Sequence, residues 1–533
     1  MTARAMDGEV VEGTVHGHPC RMYRARPSTV SELTYQGRRW ADRVFIVHGE
    51  RRVTYAYHEL ATGLAGRLLQ NHGVGTGDRV AIFARNSAEW SVAFFAALRI
   101  GAVAVPCNGW WSADEVAHAC GEVSPAVIVT DDRSRDRVPE GYPQLPLEEI
   151  TACLDVAAAR DLVTAPDLVT SEDQLGVILF TSGTTGAPRG VALSHRALIA
   201  NVQNFLVVSR KLPHQVPDDN PASVTLASLP LFHIGAIQLL MVPFVHGSRI
   251  VFSRGRFDPV EVLRLVEDEG ITMWSAVPTM VRRVLDHEAL ASARTTSLRT
   301  IVLGGAPVAQ DLLRRIAESI PTAKRGTGQA YGLSEAGGVV STAVAAGLKD
   351  HPGSSGRLMP VVEVRIADPD DKGTGEILVR SPAVMEGYWD AEVGPRSDGT
   401  VTEDRWLHTG DLGYVDGDGY LYVRGRLKDL IIRGGENIAP GHVESRLLAH
   451  PGVAEAAVIG VPHADLGEEV AAVVVLSEAG ADRPAPAELA EFCREALGGF
   501  EVPTRWWIRA EPLPKNDSGK ILKRLLLDEW RDG

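Results

Sequence analysis

Cysteine is scarce: the chain of 533 residues holds five, Cys20, Cys107, Cys120, Cys153 and Cys493. They are odd in number, scattered and without a CxxC pair. That pattern excludes a disulfide framework and a cysteine zinc site, and it fits the reducing cytoplasm. Positive charge is also in short supply, since 54 Lys and Arg against 68 Asp and Glu leave a net −14 at pH 7. Binders of nucleic acid or anionic lipid carry a basic excess, so neither partner is expected. Long apolar runs are missing as well. The most apolar stretches, residues 91–107 and 234–246, are interrupted by Arg99 and by Gln238 with Pro243. A transmembrane helix needs about 20 consecutive apolar residues, so none is expected. The opening MTARAMDGEVVEGTV has no signal-peptide core, and the closing RDG is no lipidation or peroxisomal signal. Internal repeats and low-complexity tracts are absent. What remains is a large, acidic, globular chain of enzyme type, long enough for at least two folding units.

What is present alternates in texture. Short β-branched runs at Arg79–Phe83, residues 102–106, Val127–Thr130, residues 224–229, Arg249–Phe252 and Thr300–Leu303 read as strands. Apolar-periodic segments at residues 89–100 and 260–269 read as helices between them. This alternation predicts α/β layers with mainly parallel sheets. Past Gly425 the pattern becomes a compact α+β unit. Its predicted strands cover residues 453–461 and Val470–Leu476, and its helices cover residues 440–450 and 486–497.

Chemistry concentrates first at residues 181–190. A short strand, residues 177–180, runs into Thr181-Ser182-Gly183-Thr184-Thr185-Gly186-Ala187-Pro188-Arg189-Gly190. Glycines let successive backbone N–H groups converge on an anion, hydroxyls add donors, and Arg189 adds a fork suited to phosphate. The loop is not a Walker A motif, because GxxxxGK[ST] is absent; a further strand and a helix capped by Ser194 are predicted after it. In isolation, a loop of this kind is as often a solvated turn.

The segment resembles the signature loop of the adenylate-forming superfamily, which comprises acyl- and aryl-CoA synthetases, amino-acid adenylation domains and luciferases. Arg189 stands where the family pattern has Lys. Four further motifs follow in family order. Tyr331-Gly332-Leu333-Ser334-Glu335 is similar to the family's aromatic-Gly-x-Thr-Glu motif, implying adenine stacking for Tyr331, an α-phosphate contact for Ser334 and Mg²⁺ binding for Glu335. Trp406-Leu407-His408-Thr409-Gly410-Asp411 resembles the ribose-binding motif, with Asp411 as the acceptor. Arg424-Gly425-Arg426-Leu427-Lys428-Asp429 resembles the interdomain linker, implying a ribose contact for Arg426 and a hinge at Lys428. Gly434, Gly435 and Glu436 correspond to a glycine loop that lines the thiol channel. Pro514-Lys515-Asn516-Asp517-Ser518-Gly519-Lys520 is similar to the catalytic-lysine motif, which makes Lys520 the expected catalytic cation.

Leu229-Pro230-Leu231-Phe232-His233-Ile234-Gly235 resembles the family's acid-pocket region. His233 corresponds to a residue beside the substrate carboxylate. Ile234 stands where amino-acid-activating relatives carry Asp, and an apolar residue there leaves an ammonium without a partner, which disfavours amino acids. Trp274, Gly304, Gly328, Gln329 and Ala330 are the further expected walls, with Gly305 and Ala306 beside the nucleotide. Small apolar walls suit a fatty acid or an apolar aromatic acid.

The resemblance implies an α/β fold with a large N-terminal domain, residues 1–427, of layered mainly parallel sheets with flanking helices. A small mobile α+β C-terminal domain, residues 428–533, would carry Lys520. The implied activity is an ATP-dependent acyl-CoA ligase (an AMP-forming acid–thiol ligase) using ATP, Mg²⁺ and coenzyme A. No carrier domain follows the lysine motif, so free coenzyme A is the expected acceptor. The alternative is an acyl-AMP ligase that loads a separate carrier protein. A Walker-type ATPase and a luciferase-like oxygenase are the more distant readings.

Overall fold

Strands whose side chains are apolar on both faces can persist only inside covered sheets. Val103–Pro106 and Val127–Thr130 are buried at every position, and Arg79–Phe83 at all but its first. They form the centre of a sheet whose strand order is Gly394–Arg396, Gly387–Asp390, Arg189–Ser194, Leu175–Thr181, Val103–Pro106, Arg79–Phe83, Val127–Thr130 and Gln144–Pro146. The structure is a computed structural model and describes residues 6–156, 164–181, 188–306, 308–434, 436–477, 483–515 and 521–532.

The five strands from Leu175–Thr181 to Gln144–Pro146 run parallel. The three beyond Leu175–Thr181 are antiparallel. Helix Ala88–Arg99 covers this sheet, and Ser87 caps it by accepting from Trp90 N at 3.0 Å. Ser194 caps the next helix in the predicted way, accepting from Ala197 N at 3.3 Å.

The second large sheet has two textures. Val44–His48, Arg249–Phe252, Val224–Ala227, Met273–Ala276, Thr300–Leu303 and Gly326–Leu333 are parallel neighbours. From Gly326–Leu333 outward the pairing turns antiparallel, through Gly338–Val344, Gly356–Leu358, Tyr420–Arg426, Leu407–Val415, Gly375–Arg380 and Glu363–Ala367. The fold is therefore α/β, with a parallel portion and an antiparallel portion in each large sheet.

A hairpin, Val10–Val15 with His18–Tyr23, precedes both sheets. His16 (φ 51°) and Gly17 (φ 84°) make its two-residue turn, the left-handed pair that matches strand twist.

From Ile431 onward the chain builds its own sheet from Ile431–Arg433, Glu436–Ile438, Val453–His463, Gly467–Leu476 and Arg505–Arg509. Two apolar clusters are associated with it, one around Val443, Val458 and Leu489, the other around Ile459, Val473 and Leu526. Helix Pro440–Leu448 packs on strand Tyr420–Arg426, and Arg282 donates to the carbonyl of Ala454. Among the described residues, no helix is long and apolar enough to cross a membrane. All five cysteines are free thiols.

Candidate active site

Strand Gly326–Leu333 turns through a short 3₁₀ segment, Ser334–Ala336, into Gly338–Val344. The turn is tight because glycine permits it: a Cβ on Gly332 would lie 2.1 Å from Gly338 O. Tyr331, Ser334 and Glu335 are thereby delivered at one end of the sheet. Gln238, on helix Ile234–Met241, donates to Gly337 O at 3.0 Å and seats that helix against the turn.

Asp411 lies opposite Arg426 across the pair Leu407–Val415 and Tyr420–Arg426. The residue is buried, with its side chain 6% exposed. Oδ2 accepts from Tyr331 Oη at 2.7 Å, and Oδ1 lies 3.1 Å from Arg426 Nε. Asp411 N–H donates to Thr409 Oγ1 at 3.1 Å, which fixes the backbone of its own turn. Burial, then the negative Asp411, push the Tyr331 phenol well above its ordinary pKa, so it remains a donor. The three residues expected to bind adenine and ribose thus touch one another.

A second group gathers around Glu335. Tyr388 Oη donates to Glu335 Oε1 at 3.0 Å, and Met385 N donates to Glu335 O at 2.9 Å. The guanidinium of Arg189 lies 3.4 Å from the centre of the Tyr388 ring and also pairs with Asp398. Thr181 Oγ1 lies 3.5 Å from Arg189 O, across the base of the loop. Tyr388, Met385 and Asp398 were not foreseen from the sequence; they belong to residues 384–398, which carry no phosphate-type motif. Ser182, Gly183, Thr184, Thr185 and Gly186 lie outside the described residues, as do Gly435 and Lys520.

The expected acid-pocket residues come from strands Met273–Ala276 and Gly326–Leu333, the turn after Thr300–Leu303 and the start of helix Ile234–Met241. Thr300–Leu303 pairs with Gly326–Leu333, with Leu303 opposite Gln329. Gly304 N donates to Ala276 O at 3.3 Å, and a Cβ on Gly304 would stand 3.3 Å from Ala330 O. Gly305 takes φ 76°, and Ala306 follows it. Gly328 is pinned by strand pairing, since a Cβ there would meet Ala343 O at 2.5 Å. The Gln329 amide donates to Ser354 O, while its backbone O accepts from Thr342 Oγ1 at 3.0 Å. His233 immediately precedes helix Ile234–Met241 and its ring lies 4.3 Å from that of Phe232. Ile234 is buried. Asn86, unforeseen, clamps the preceding loop by donating to Leu229 O at 2.8 Å and accepting from Leu231 N at 2.9 Å. Trp274 is fully buried, with its indole N–H on Ser228 Oγ at 2.9 Å, so it supports this region from the core.

At the junction, Lys428 lies in the 3₁₀ turn Leu427–Asp429, where burial lowers its ammonium pKa despite Asp429. Gly434 (φ 60°) donates to Leu466 O at 2.8 Å, and Glu436 is exposed at the start of its strand. A separate cavity between helices Val30–Thr34, Tyr55–Asn71 and Ala88–Arg99 is lined by His58, Phe95 and Phe244 and touches none of these residues.

Among the described residues, no group of three or more His, Cys, Asp or Glu side chains could cage a metal. Glu335 is a single hard carboxylate with one oxygen engaged by a neutral phenol. That suits Mg²⁺, which takes one or two carboxylates and completes its shell with substrate phosphates and water.

The chain matches known proteins over most of its length. The family model described as AMP-binding enzyme matches residues 33–389, and that of the AMP-binding enzyme C-terminal domain matches residues 442–520. A feruloyl-CoA synthase of an Amycolatopsis species is 36% identical, over 89% of this chain and 94% of its own length. The fatty acid–[acyl-carrier-protein] ligase ScoC of Streptomyces coeruleorubidus is 34% identical, over 90% of this chain and 92% of its own. The o-succinylbenzoate coenzyme A synthetase of Bacillus subtilis, solved with its acyl-adenylate intermediate, superposes with a TM-score of 0.79 at 28% identity, covering 94% of this chain and 98% of that one. The same enzyme with ATP and magnesium ion superposes at 0.77, covering 94% and 100%.

Proposed function

The chain belongs to the AMP-binding enzyme family of adenylate-forming acid–thiol ligases, and from that premise we propose that it activates an apolar carboxylic acid with ATP and transfers the acyl group to coenzyme A. Enzymes of this family work with ATP, Mg²⁺ and coenzyme A. The observation that carries the reading is the convergence of Tyr331, Asp411 and Arg426 beside the Glu335 turn.

A free carboxylate is a poor acyl donor, because its leaving group would be oxide. In the first half-reaction a carboxylate oxygen attacks the α-phosphorus of ATP. A C–O–P bond forms, the bond to the bridging oxygen breaks, and pyrophosphate leaves with the electron pair. In the second, a thiolate attacks the acyl carbon and AMP leaves. Two anions must meet in the first step, so fixed positive charge is the main requirement. Lys520 supplies it at the meeting point and Arg189 supplies it on the phosphate loop. Asp411 and Arg426 hold the ribose, Tyr331 flanks the adenine and Ser334 faces the α-phosphate. Gly305 and Ala306 approach the nucleotide. Glu335 would hold Mg²⁺, which when bound would neutralise phosphate charge.

The acid lies along Gly304, Gly328, Gln329 and Ala330, with His233 beside its carboxylate and Ile234 excluding an α-ammonium. An aromatic propenoic acid or a fatty acid fits these apolar, small walls, and relatives named for both kinds support that class. We divide the chain into residues 1–427 and 428–533, with Lys428 as the hinge. Rotation then withdraws Lys520 and brings Gly434, Gly435 and Glu436 to the thiol channel. The free cysteines favour the cytoplasm.

A second reading, transfer to a carrier protein, is favoured by the likeness to ScoC. Acyl-CoA formation with free coenzyme A supports the first reading; acyl transfer only to a phosphopantetheine carrier supports the second. For the chemistry itself, Lys520→Ala is expected to lower acid-dependent ATP–pyrophosphate exchange by about 10²–10³-fold. Exchange near the wild-type rate would remove Lys520 from the mechanism.

A further inference from the structure

Among the described residues, five other than glycine hold left-handed backbone conformations, and two of them are His16 at φ 51° and Arg405 at φ 67°. These two are far apart in the sequence, yet both side chains reach Glu386. His16 Nε2 lies 2.7 Å from Glu386 Oε2, a hydrogen bond the imidazole donates. Arg405 Nη2 lies 3.7 Å from the same oxygen. The other oxygen, Oε1, accepts from Arg196 Nη2 at 2.6 Å. The side chain of Arg196 is 2% exposed and those of Glu386 and Arg405 are 10% and 11% exposed. Arg196 also pairs with Asp173.

The short run from Val384 to Tyr388 links this cluster to the active site. Arg405 Nη2 donates to Val384 O at 3.2 Å and Met385 O at 2.9 Å. Met385 N holds Glu335 O, and Tyr388 Oη holds Glu335 Oε1. Glu386 N donates to Ala192 O at 2.9 Å, which ties the run to the strand beginning at Arg189. Met385, whose N–H holds Glu335 O, is therefore gripped from behind by Arg405, and Glu386 stands two residues before Tyr388 in the same run.

Buried ion clusters seldom add more stability than apolar packing of the same volume. Left-handed strain on non-glycine residues persists where the surroundings over-determine it, and it collects at functional sites. Here the left-handed Arg405 and the hairpin-turn residue His16, whose side chain is 45% exposed, converge on one carboxylate two residues from the tyrosine that touches Glu335.

We propose that Glu386, with His16, Arg196 and Arg405, is a positioning cluster for Glu335, and that the N-terminal hairpin is through His16 a structural part of the Mg²⁺–nucleotide site. The proposal rests on the reading of Glu335 as the Mg²⁺ carboxylate. None of the four residues is a catalytic residue; they act through Met385 and Tyr388.

The test is ATP affinity by calorimetry on the full-length chain, without acid, in the presence of Mg²⁺ and again in EDTA. Three variants are compared with wild type. Arg405→Gly relieves the φ but removes the guanidinium. His16→Asn keeps a residue type that tolerates the hairpin turn but lacks the reach. Glu335→Gln removes the metal carboxylate. Arg405→Gly and His16→Asn are each expected to bind ATP roughly tenfold more weakly in Mg²⁺, as outer-shell partners of a metal ligand typically do, and to bind like wild type in EDTA. Equal loss in both conditions, or no loss in either, for both variants while Glu335→Gln shows the Mg²⁺-specific loss, overturns the positioning cluster alone. No Mg²⁺-specific loss in Glu335→Gln overturns the reading of Glu335 and the proposal with it.

Discussion

Tyr331 donates its phenolic hydrogen to Asp411 at 2.7 Å, so the expected adenine-stacking ring and the expected ribose carboxylate are one hydrogen-bonded unit. Asp411 also lies against Arg426. Its charge is balanced, and its two oxygens have fixed directions before any ligand arrives.

Asp411→Asn exchanges a charged acceptor for a neutral amide that presents donors on one side. Hydrogen bonds to charged groups contribute about 1.5–3 kcal/mol, so the KM for ATP is expected to rise roughly tenfold to a hundredfold. Tyr331→Phe keeps the ring and loses one hydrogen bond, costing about 1 kcal/mol, a KM change of roughly fivefold. Steady-state kinetics with ATP varied checks both. A larger effect for Tyr331→Phe than for Asp411→Asn would contradict the shared-carboxylate account.

Glu386 makes a prediction about acid stability. Burial pushes its carboxyl pKa up, but Arg196 and Arg405 pull it further down, aided by Ser194 and His16, so the net shift is below the ordinary glutamate value. A carboxylate with a lowered native pKa adds stability that is complete above the unfolded value and fades as pH falls through the native one. Glu386→Gln leaves two buried guanidinium groups short of charge, which costs about 3–5 kcal/mol. Wild type is therefore expected to be more stable than Glu386→Gln by that amount near neutral pH, with the gap closing in acid. Denaturant melts across pH 3–8 measure it; a gap that is constant with pH would refute the charge-based account.

Much of this fold can be read from the chain because burial on both faces leaves a simple trace. Arg79–Phe83, Val127–Thr130, Arg249–Phe252 and Thr300–Leu303 are strands with the bounds their β-branched runs predict. The antiparallel flank is harder to see. A strand such as Tyr420–Arg426 mixes apolar, charged and glycine positions, and one of its two partners, Gly356–Leu358, is far along the chain. The motif residues Tyr331, Asp411 and Arg426 are legible because their chemistry repeats in a known order. Tyr388, Glu386, Arg405 and Asn86 are not, since each acts by tertiary contact and none sits in a patterned motif. The His16-Gly17 turn did leave a local sign, a glycine in a two-residue link between alternating segments.

Lys428 tests the hinge. It occupies a three-residue turn between Tyr420–Arg426 and the strand Ile431–Arg433 of the small unit. Proline fixes φ and removes the backbone donor, so Lys428→Pro is expected to restrict rotation. Thioester formation should fall at least about tenfold more than ATP–pyrophosphate exchange, if closure gates only the second half-reaction. Rapid-quench measurement of each half-reaction decides; equal losses would show that position 428 is not the pivot.

The central claim is acid activation through an acyl-adenylate followed by transfer to coenzyme A. A panel of aromatic and fatty carboxylic acids, incubated with ATP, Mg²⁺ and coenzyme A and read by nucleotide release and product mass, tests it most directly. The account predicts acid-dependent formation of AMP and pyrophosphate, with a product whose mass is that of the acid joined to coenzyme A less one water. Release of ADP and phosphate, or nucleotide turnover indifferent to the acid, would contradict it.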